Sequence, residues 1–378
     1  MPRLYLDNNS TTPMLPEVAE AMARAPAGNP ASAHRFGAAA RLALDTARDI
    51  IADCLVCHPD EVVFTSDATE ANNLAVFGLA EFNSSDESNP IESPKILVSD
   101  IEHPSVLEPC RHLAQGRFKL IELPVDSQGH AQPIPQPAVG SLVALQLANH
   151  ETGVVQDIAT LRRRYELSAF HTDATQAVGK IPIRFHDLGV STLACSAHKF
   201  HGPQGIGVLI VNRCVQLKPR TFGGHQQLGR RPGTEPVALA VGMATALKLA
   251  CKEMNERRDR CIQLRRLFLD HLTSRKIHFV INGDPEHGLS HTLNLAFPSC
   301  ASELLFIRLD LAGIDCSTGS ACSSGSLLPS PVLQAMKVSD EVLTSSMRFS
   351  LSHLLSDEDV IEAAERIARE VMALRSRP

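Results

Sequence analysis

The chain alternates short apolar runs with stretches whose apolar residues recur at helical spacing. "EVVFT", "KILVSD", "SLVALQLA", "SAFHTDA", "STLACSA" and "IGVLIV" are each bounded by polar, Gly or Pro residues, which predicts short buried strands. "AAARLALDTARDIIADCL" (38–55) carries the helical period. Such strands, alternating with helices over the first two-thirds of the chain, predict a parallel or mixed sheet covered on both faces. "EFNSSDESNPIESP" (81–94) reads as a solvated loop. From Val237 to Ser274 the pattern is one long or broken helix, and its charged middle, "CKEMNERRDR", marks a domain boundary. Beyond it, "HFVINGD", "HTLNLAF" and a helix from Ser356 suit a smaller α+β domain. That last helix has an N-cap serine, acidic first-turn residues, and Val360, Ile367, Val371 and Leu374 on one face. The expected division is a large domain over 15–255 and a small one from 1–14 plus 256–378.

Composition narrows the class. The length of 378 residues allows a large core or two domains. A net charge of −6 offers no basic field to nucleic acid, and the absence of Trp with 4% aromatics argues against base-stacking platforms. No apolar run approaches the ~18 residues of a membrane helix. The start, "MPRLYLDNNSTTP", lacks a secretory pattern, so a cytoplasmic protein is expected. The ten cysteines are scattered and in a reducing compartment should be mostly unpaired and buried. Cys54 and Cys57 form a C-x-x-C with no second pair at zinc spacing. They read as thiols at a helix end, and no metal site is expected.

Several segments carry candidate chemistry. In "SAHKFHGPQGIGVLIV", Lys199 follows an apolar strand and precedes a Gly-Pro-Gln-Gly turn. Apolar surroundings favour its unprotonated amine. Asp173 and Gln176 lie just past the strand of "HTDATQAVGK", where ligands of such sheets bind. A buried carboxylate there calls for a cationic partner, and a protonated ring nitrogen of pyridoxal phosphate (PLP) is one. Asp173 precedes Lys199 by 26 residues, about one helix and one strand. As a helix cap, Asp173 would need no such partner. "FTSDATEANN" runs from a strand into a helix start whose amides, with Thr65, Ser66 and Thr69, could bind an anion. Ser196 and His198 could add donors. His103 follows the strand "KILVSD", and Arg348 in "SSMRFSLS" suits bidentate carboxylate binding. Cys322, in "STGSACSSGS", is expected on an exposed loop.

Together, and in this order, these motifs resemble the NifS/IscS-like cysteine desulfurases, PLP enzymes of aminotransferase fold type I. "YLDNNSTTP", "GNPASAHRFG", "EHPSV", "ANHETGVVQDI" and "RRPGTEP" extend the likeness over nearly the whole chain. The resemblance implies a large domain with a mostly parallel seven-stranded sheet, plus a smaller α+β domain. It implies that Lys199 forms the Schiff base with PLP, Asp173 pairs with the pyridine nitrogen and Gln176 contacts the phenolic oxygen. His103 would stack on the ring and shuttle protons, including taking one from the Cys322 thiol. Ala68, Thr69, Ser196 and His198 would hold the phosphate, and Thr234 would reach the phosphate of a neighbouring subunit in a homodimer with shared sites. Arg348, with Asn29, would bind the carboxylate of L-cysteine. Cys322 would accept the sulfur as a persulfide and pass it to an acceptor protein, for iron–sulfur assembly, thiolation or DNA phosphorothioation.

Two positions depart from the family's pattern. His150 stands where the second of two asparagines is usual; it would contact the cofactor oxygen and can still donate one hydrogen bond. Asp67 stands where glycine is usual, beside the expected phosphate. A left-handed backbone, which aspartate tolerates, would explain it. Three other readings use the same parts: a selenocysteine lyase, an ordinary aminotransferase, and a PLP-fold scaffold in sulfur transfer without turnover.

Overall fold

The computed structural model describes residues 2–83, 94–135, 140–318 and 329–376. Its strands are β1 (Leu4–Tyr5), β2 (Val62–Thr65), β3 (Lys95–Ser99), β4 (Lys119–Leu123), β5 (Leu142–Ala144), β6 (Ala169–Asp173), β7 (Thr192–Ser196), β8 (Gly207–Val211), β9 (Val280–Asn282), β10 (Thr292–Ala296), β11 (Ile314–Asp315) and β12 (Ser346–Ser350). Seven of them form one sheet in the order β2-β8-β7-β6-β5-β3-β4. The block from β7 to β4 is parallel throughout, and β8 runs antiparallel to both β7 and β2. This is the mostly parallel seven-stranded sheet that the motifs imply.

Alternation along the strands covers both faces. Leu97, Val143, Phe170, Leu193 and Val208 join one core with Leu44 and Ile51 of the helix Arg35–Leu55 and Leu247 of the helix Val237–Lys252. Ile96, Val98, Leu142 and Ala144 face the other way, onto Val76 and Leu79 of the helix Ala68–Asn83 and Val106 of the helix Pro104–Ala114. Each such side chain contributes about 1.5–3 kcal/mol on burial. A separate core gathers Leu4, Leu6, Phe268, Leu295, Phe297, Phe349, Ile367 and Val371 around the three-stranded antiparallel sheet β12-β10-β9. The predicted long helix is broken at Glu253, between Val237–Lys252 and Met254–Ser274. The helix Asp357–Arg375 starts as its sequence predicts: Ser356 and Asp359 form a reciprocal capping box.

Two strand readings change in detail. "SLVALQLA" forms regular strand only over Leu142–Ala144, although the Leu145 and Leu147 amides still bond to the His171 and Asp173 carbonyls. The edge strand β4 is absent from the sequence expectations. Its half-exposed pattern lacks the continuous apolar run of its neighbours.

Candidate active site

Parallel strands bring their C-terminal ends to one edge, and the side chains there converge. β6 ends in Asp173, β7 ends in Ser196 with Lys199 in the 3-10 turn that follows, and the helix from Ala68 starts just past β2. They surround a cavity of about 230 Å3. Of the residues singled out in the sequence, Ala68, Thr69, His103, His150, Asp173, Gln176, Ser196, His198, Lys199 and Arg348 all line it.

Asp173 is buried, and its partners are neutral. Oδ2 accepts from Asn72 Nδ2 at 2.8 Å, and Oδ1 from the Thr175 amide at 2.9 Å. The same Asn72 accepts from His171 Nε2, whose other nitrogen meets Thr192 Oγ1. Burial holds His171 down to about 4, so its ring is neutral. The carboxylate has no ion pair among the described residues. It caps no helix; the Thr175 bond closes a turn.

The helix from Ala68 starts with the amides of Ala68 and Thr69 unmet by any acceptor among the described residues. Ser196 and His198 share the cavity with these amides, and His198 Nδ1 meets Thr11 Oγ1 at 3.1 Å. The β8 backbone passes close beneath: a Cβ on Gly207 would lie 2.6 Å from the Asp67 carbonyl carbon. The expected reason for Asp67 is corrected here. Its φ is not among the positive ones; instead its Oδ1 accepts the Glu70 amide at 2.8 Å and caps the helix.

Lys199 Nζ donates to the carbonyls of Asn9 (2.7 Å) and Ser10 (2.6 Å). Gln176 Nε2 donates to the same Asn9 carbonyl at 2.9 Å. Asn9 also donates to the His150 carbonyl and to Thr292 Oγ1, which ties the N-terminal segment across the site. Arg348 is almost wholly buried; it donates to Asp7 Oδ1 (2.6 Å) and to the His150 carbonyl (3.0 Å). His103 caps the helix Pro104–Ala114, with Nδ1 accepting the Ser105 amide. Burial lowers its pKa against the pull of Asp173. With Nδ1 taken by the Ser105 amide, the neutral ring carries its hydrogen on Nε2, where it can donate a hydrogen bond into the cavity. His150 packs edge-on to His103, with 5.5 Å between centroids. Burial, then the neighbouring His103, Arg348 and Lys199, keeps its pKa well below the usual value. At 3.7 Å from Glu151 this neutral ring forms no ion pair.

Asn29 and Thr234 are not brought into this cavity. Asn29 is exposed and accepts the Ala31 amide, and Thr234 is exposed ahead of the helix Val237–Lys252. Cys322 lies outside the described residues. The two flanks of its segment are tied to the site: Ser317 exchanges backbone bonds with Arg348, and Ser330 donates to Glu151. Asn9, Ser105, Gln146 and Thr175 also line the cavity and carried no role in the sequence reading. For Asn9 the signal was the polar run "DNNSTT" directly after an apolar strand. Away from the cavity, Cys54 and Cys57 are half-buried at the end of the helix Arg35–Leu55, and burial pushes the Cys57 thiol up to about 12.

The residues fit a protonated heterocycle with an anionic arm. A buried carboxylate without a cation faces the cavity, and open amides stand at a helix start. Three buried polar atoms of the lining, Thr175 Oγ1, His150 Nδ1 and Arg348 Nε, have no hydrogen-bond partner among the described residues.

Residues 4–362 match the aminotransferase class-V family. The chain belongs to that family. Within it, the chain belongs to the cysteine desulfurases: the cysteine desulfurase IscS of Dictyoglomus turgidum is 37% identical over 385 residues, covering 99% of this chain and 95% of that protein. A solved NifS-like protein superposes with a TM-score of 0.88 at 32% identity, covering 97% of this chain and 98% of that one. A structure described as SspA in complex with cysteine follows at 0.79 and 31%, covering 92% and 99%. The family is PLP-dependent, in agreement with the donor set.

Proposed function

We propose that this chain is a PLP-dependent cysteine desulfurase that takes sulfur from L-cysteine, leaves L-alanine, and carries the sulfur as a persulfide on Cys322 to an acceptor protein. The reading rests on one observation above all. A buried carboxylate with no cationic partner among the described residues, Asp173, shares a cavity with Lys199, Arg348 and the open amides of Ala68 and Thr69.

When bound, PLP withdraws electrons from the substrate's α-carbon. Lys199 is the amine that anchors the cofactor's aldehyde. Its amine, once freed, would be the base for the substrate's α-proton. Asp173 holds the proton of the ring nitrogen, oriented by Asn72 and the Thr175 amide. Ala68, Thr69, Ser196 and His198 hold the phosphate; Gln176 and His150 offer donors to the ring's oxygen. Arg348, steadied by Asp7, would take the substrate carboxylate. His103, which lines the cavity with its hydrogen on Nε2, would stack on the ring and move protons beside it. The Cys322 thiolate accepts the sulfur; the anchoring of residues 317 and 330 beside Arg348 and Glu151 supports its access to the site. Thr234, exposed and outside its own subunit's cavity, suits the phosphate of a neighbouring subunit in a homodimer. We further propose that residues 15–255 form the cofactor domain and 1–14 with 256–378 the domain carrying Cys322, in a cytoplasmic enzyme.

The deciding experiment is borohydride reduction of PLP-loaded protein, followed by peptide mapping, with intact-mass analysis after L-cysteine. The reading expects the cofactor on the Lys199 peptide and one added sulfur on the Cys322 peptide. Cys322→Ala should keep the cofactor and lose the sulfur, with turnover down at least ~100-fold. Cofactor fixed to another residue, or full desulfuration by Cys322→Ala, overturns it.

A further inference from the structure

A second, small cavity, of about 60 Å3, shares Lys199 with the first. It is lined by Lys180, Arg257, Arg258, His201, His291 and His353 among others, and by no carboxylate. Arg257 and Arg258 are paired with Glu253 and Asp259. Lys180 is different. Its Nζ donates to Gln176 Oε1 at 3.0 Å, and the charged or titratable groups that act on it are Lys199, Arg348 and Cys261. It is an ammonium supported by a neutral amide and facing two other cations.

That contact and the Asn9 carbonyl together decide which way the Gln176 amide points. An ammonium only donates, so Oε1 faces Lys180 and the NH2 faces the other side. One of its hydrogens meets the Asn9 carbonyl; the second is left for the cavity that Gln176 lines. Without Lys180 the Asn9 carbonyl alone would hold the amide, and Oε1 would lose its partner. The charge has its own effect. Two like charges that share one cavity disfavour each other, and burial together with Lys199 lowers Lys180 to about 7.

We infer that Lys180 is a positioning residue for the bound cofactor: with the Asn9 carbonyl it holds Gln176 as a hydrogen-bond donor into the site, and its charge, in the cavity it shares with Lys199, disfavours protonation of the linkage at Lys199. The inference rests on the reading that this cavity holds PLP.

The test loads wild type, Lys180→Met, Lys180→Gln and Lys180→Arg with PLP and follows the cofactor's absorbance against pH. Circular dichroism reports folding. The other ionisable groups of the cavity, Asp67, Asp173, His103, His150, His198 and Arg348, are common to all four proteins. Removing the charge, in the Met and Gln variants, should raise the midpoint by about half a pH unit or more, a threefold change in proton affinity. The Arg variant, always charged, should titrate at or below wild type. A Met or Gln midpoint that superimposes on wild type overturns the inference, as does Arg moving upward with them. Wild type that takes no cofactor on Lys199 overturns the functional reading itself, and this inference with it.

Discussion

A single substitution shows how closely charge and backbone geometry trade at this site. At position 67, where the resembled family has glycine, the carboxylate caps the helix that opens at Ala68 and also lines the cavity. Capping explains its presence; its charge works against a phosphate at the same helix start. Two charges ~4 Å apart near a surface repel by roughly 1–4 kcal/mol. Asp67→Asn keeps an acceptor for the Glu70 amide and removes the charge. It should bind PLP about 3–10-fold more tightly at low salt, with the gain shrinking as salt is added. Spectroscopic titration of the stripped protein measures it; unchanged affinity at low salt would mean the carboxylate does not reach the phosphate. His150 departs without such a conflict, since its buried neutral ring still has a hydrogen to give. Asp173 and Lys199 were legible because each sets a polar group at or just past the end of an apolar run, and Arg348 because it interrupts an alternating strand. Asn9 was not: its use depends on a segment that folds across the site from far away in sequence.

Helix and strand ends were less legible than their interiors. The helix Arg35–Leu55 has a clear apolar stripe, but its stop is written in no glycine or asparagine. Val56 closes it in the left-handed region, at φ 53° and ψ 54°, so that the Cys57 amide reaches the Ala52 carbonyl. A β-branched residue there stores about 1–2 kcal/mol of strain. Val56 is 38% exposed, so a glycine would give up the partial burial of one small side chain, which sets a modest limit on the gain. Val56→Gly should therefore stabilise the protein by about 0.5–1 kcal/mol, after the greater chain entropy of glycine is allowed for. The denaturant midpoint should rise with the slope unchanged; a fall would show that Val56 packing outweighs the strain. By contrast, Ser356 and Asp359 announced the last helix correctly because a capping box is a local device.

Stability of the whole molecule should depend on pH in two opposed ways. Glu102 is fully buried beside Ser99, and burial raises its pKa to about 8 from 4.5. The folded state then holds a proton that the unfolded state releases, so stability falls as pH rises from about 4.5 to about 8. Glu151, raised to about 7, acts in the same direction. His171, His198 and His201, held down to about 4 from 6.5 by burial, act the other way. What they contribute is present above about 6.5 and is lost as pH falls toward 4. Glu102→Gln should match wild type near pH ~5 and exceed it by a few kcal/mol, on the order of 3, above pH ~8. Chemical denaturation at the two pH values measures this. A constant difference between the proteins would mean that Glu102 is not protonated in the folded state.

The order of elements, the sheet, the PLP chemistry and most of the cavity lining were written in the chain itself. Apolar runs, capping residues and strand-end polar residues act over a few positions and leave a local pattern. Only the folded molecule decided what acts across distance. The Asn9 carbonyl holds Lys199 and Gln176, and Lys180 meets the Gln176 amide oxygen. Asn72 aims Asp173, and Ser105 sets the proton of His103. A hydrogen bond between residues 101 or 190 positions apart depends on how strands are ordered in space, and no short stretch of sequence records that order.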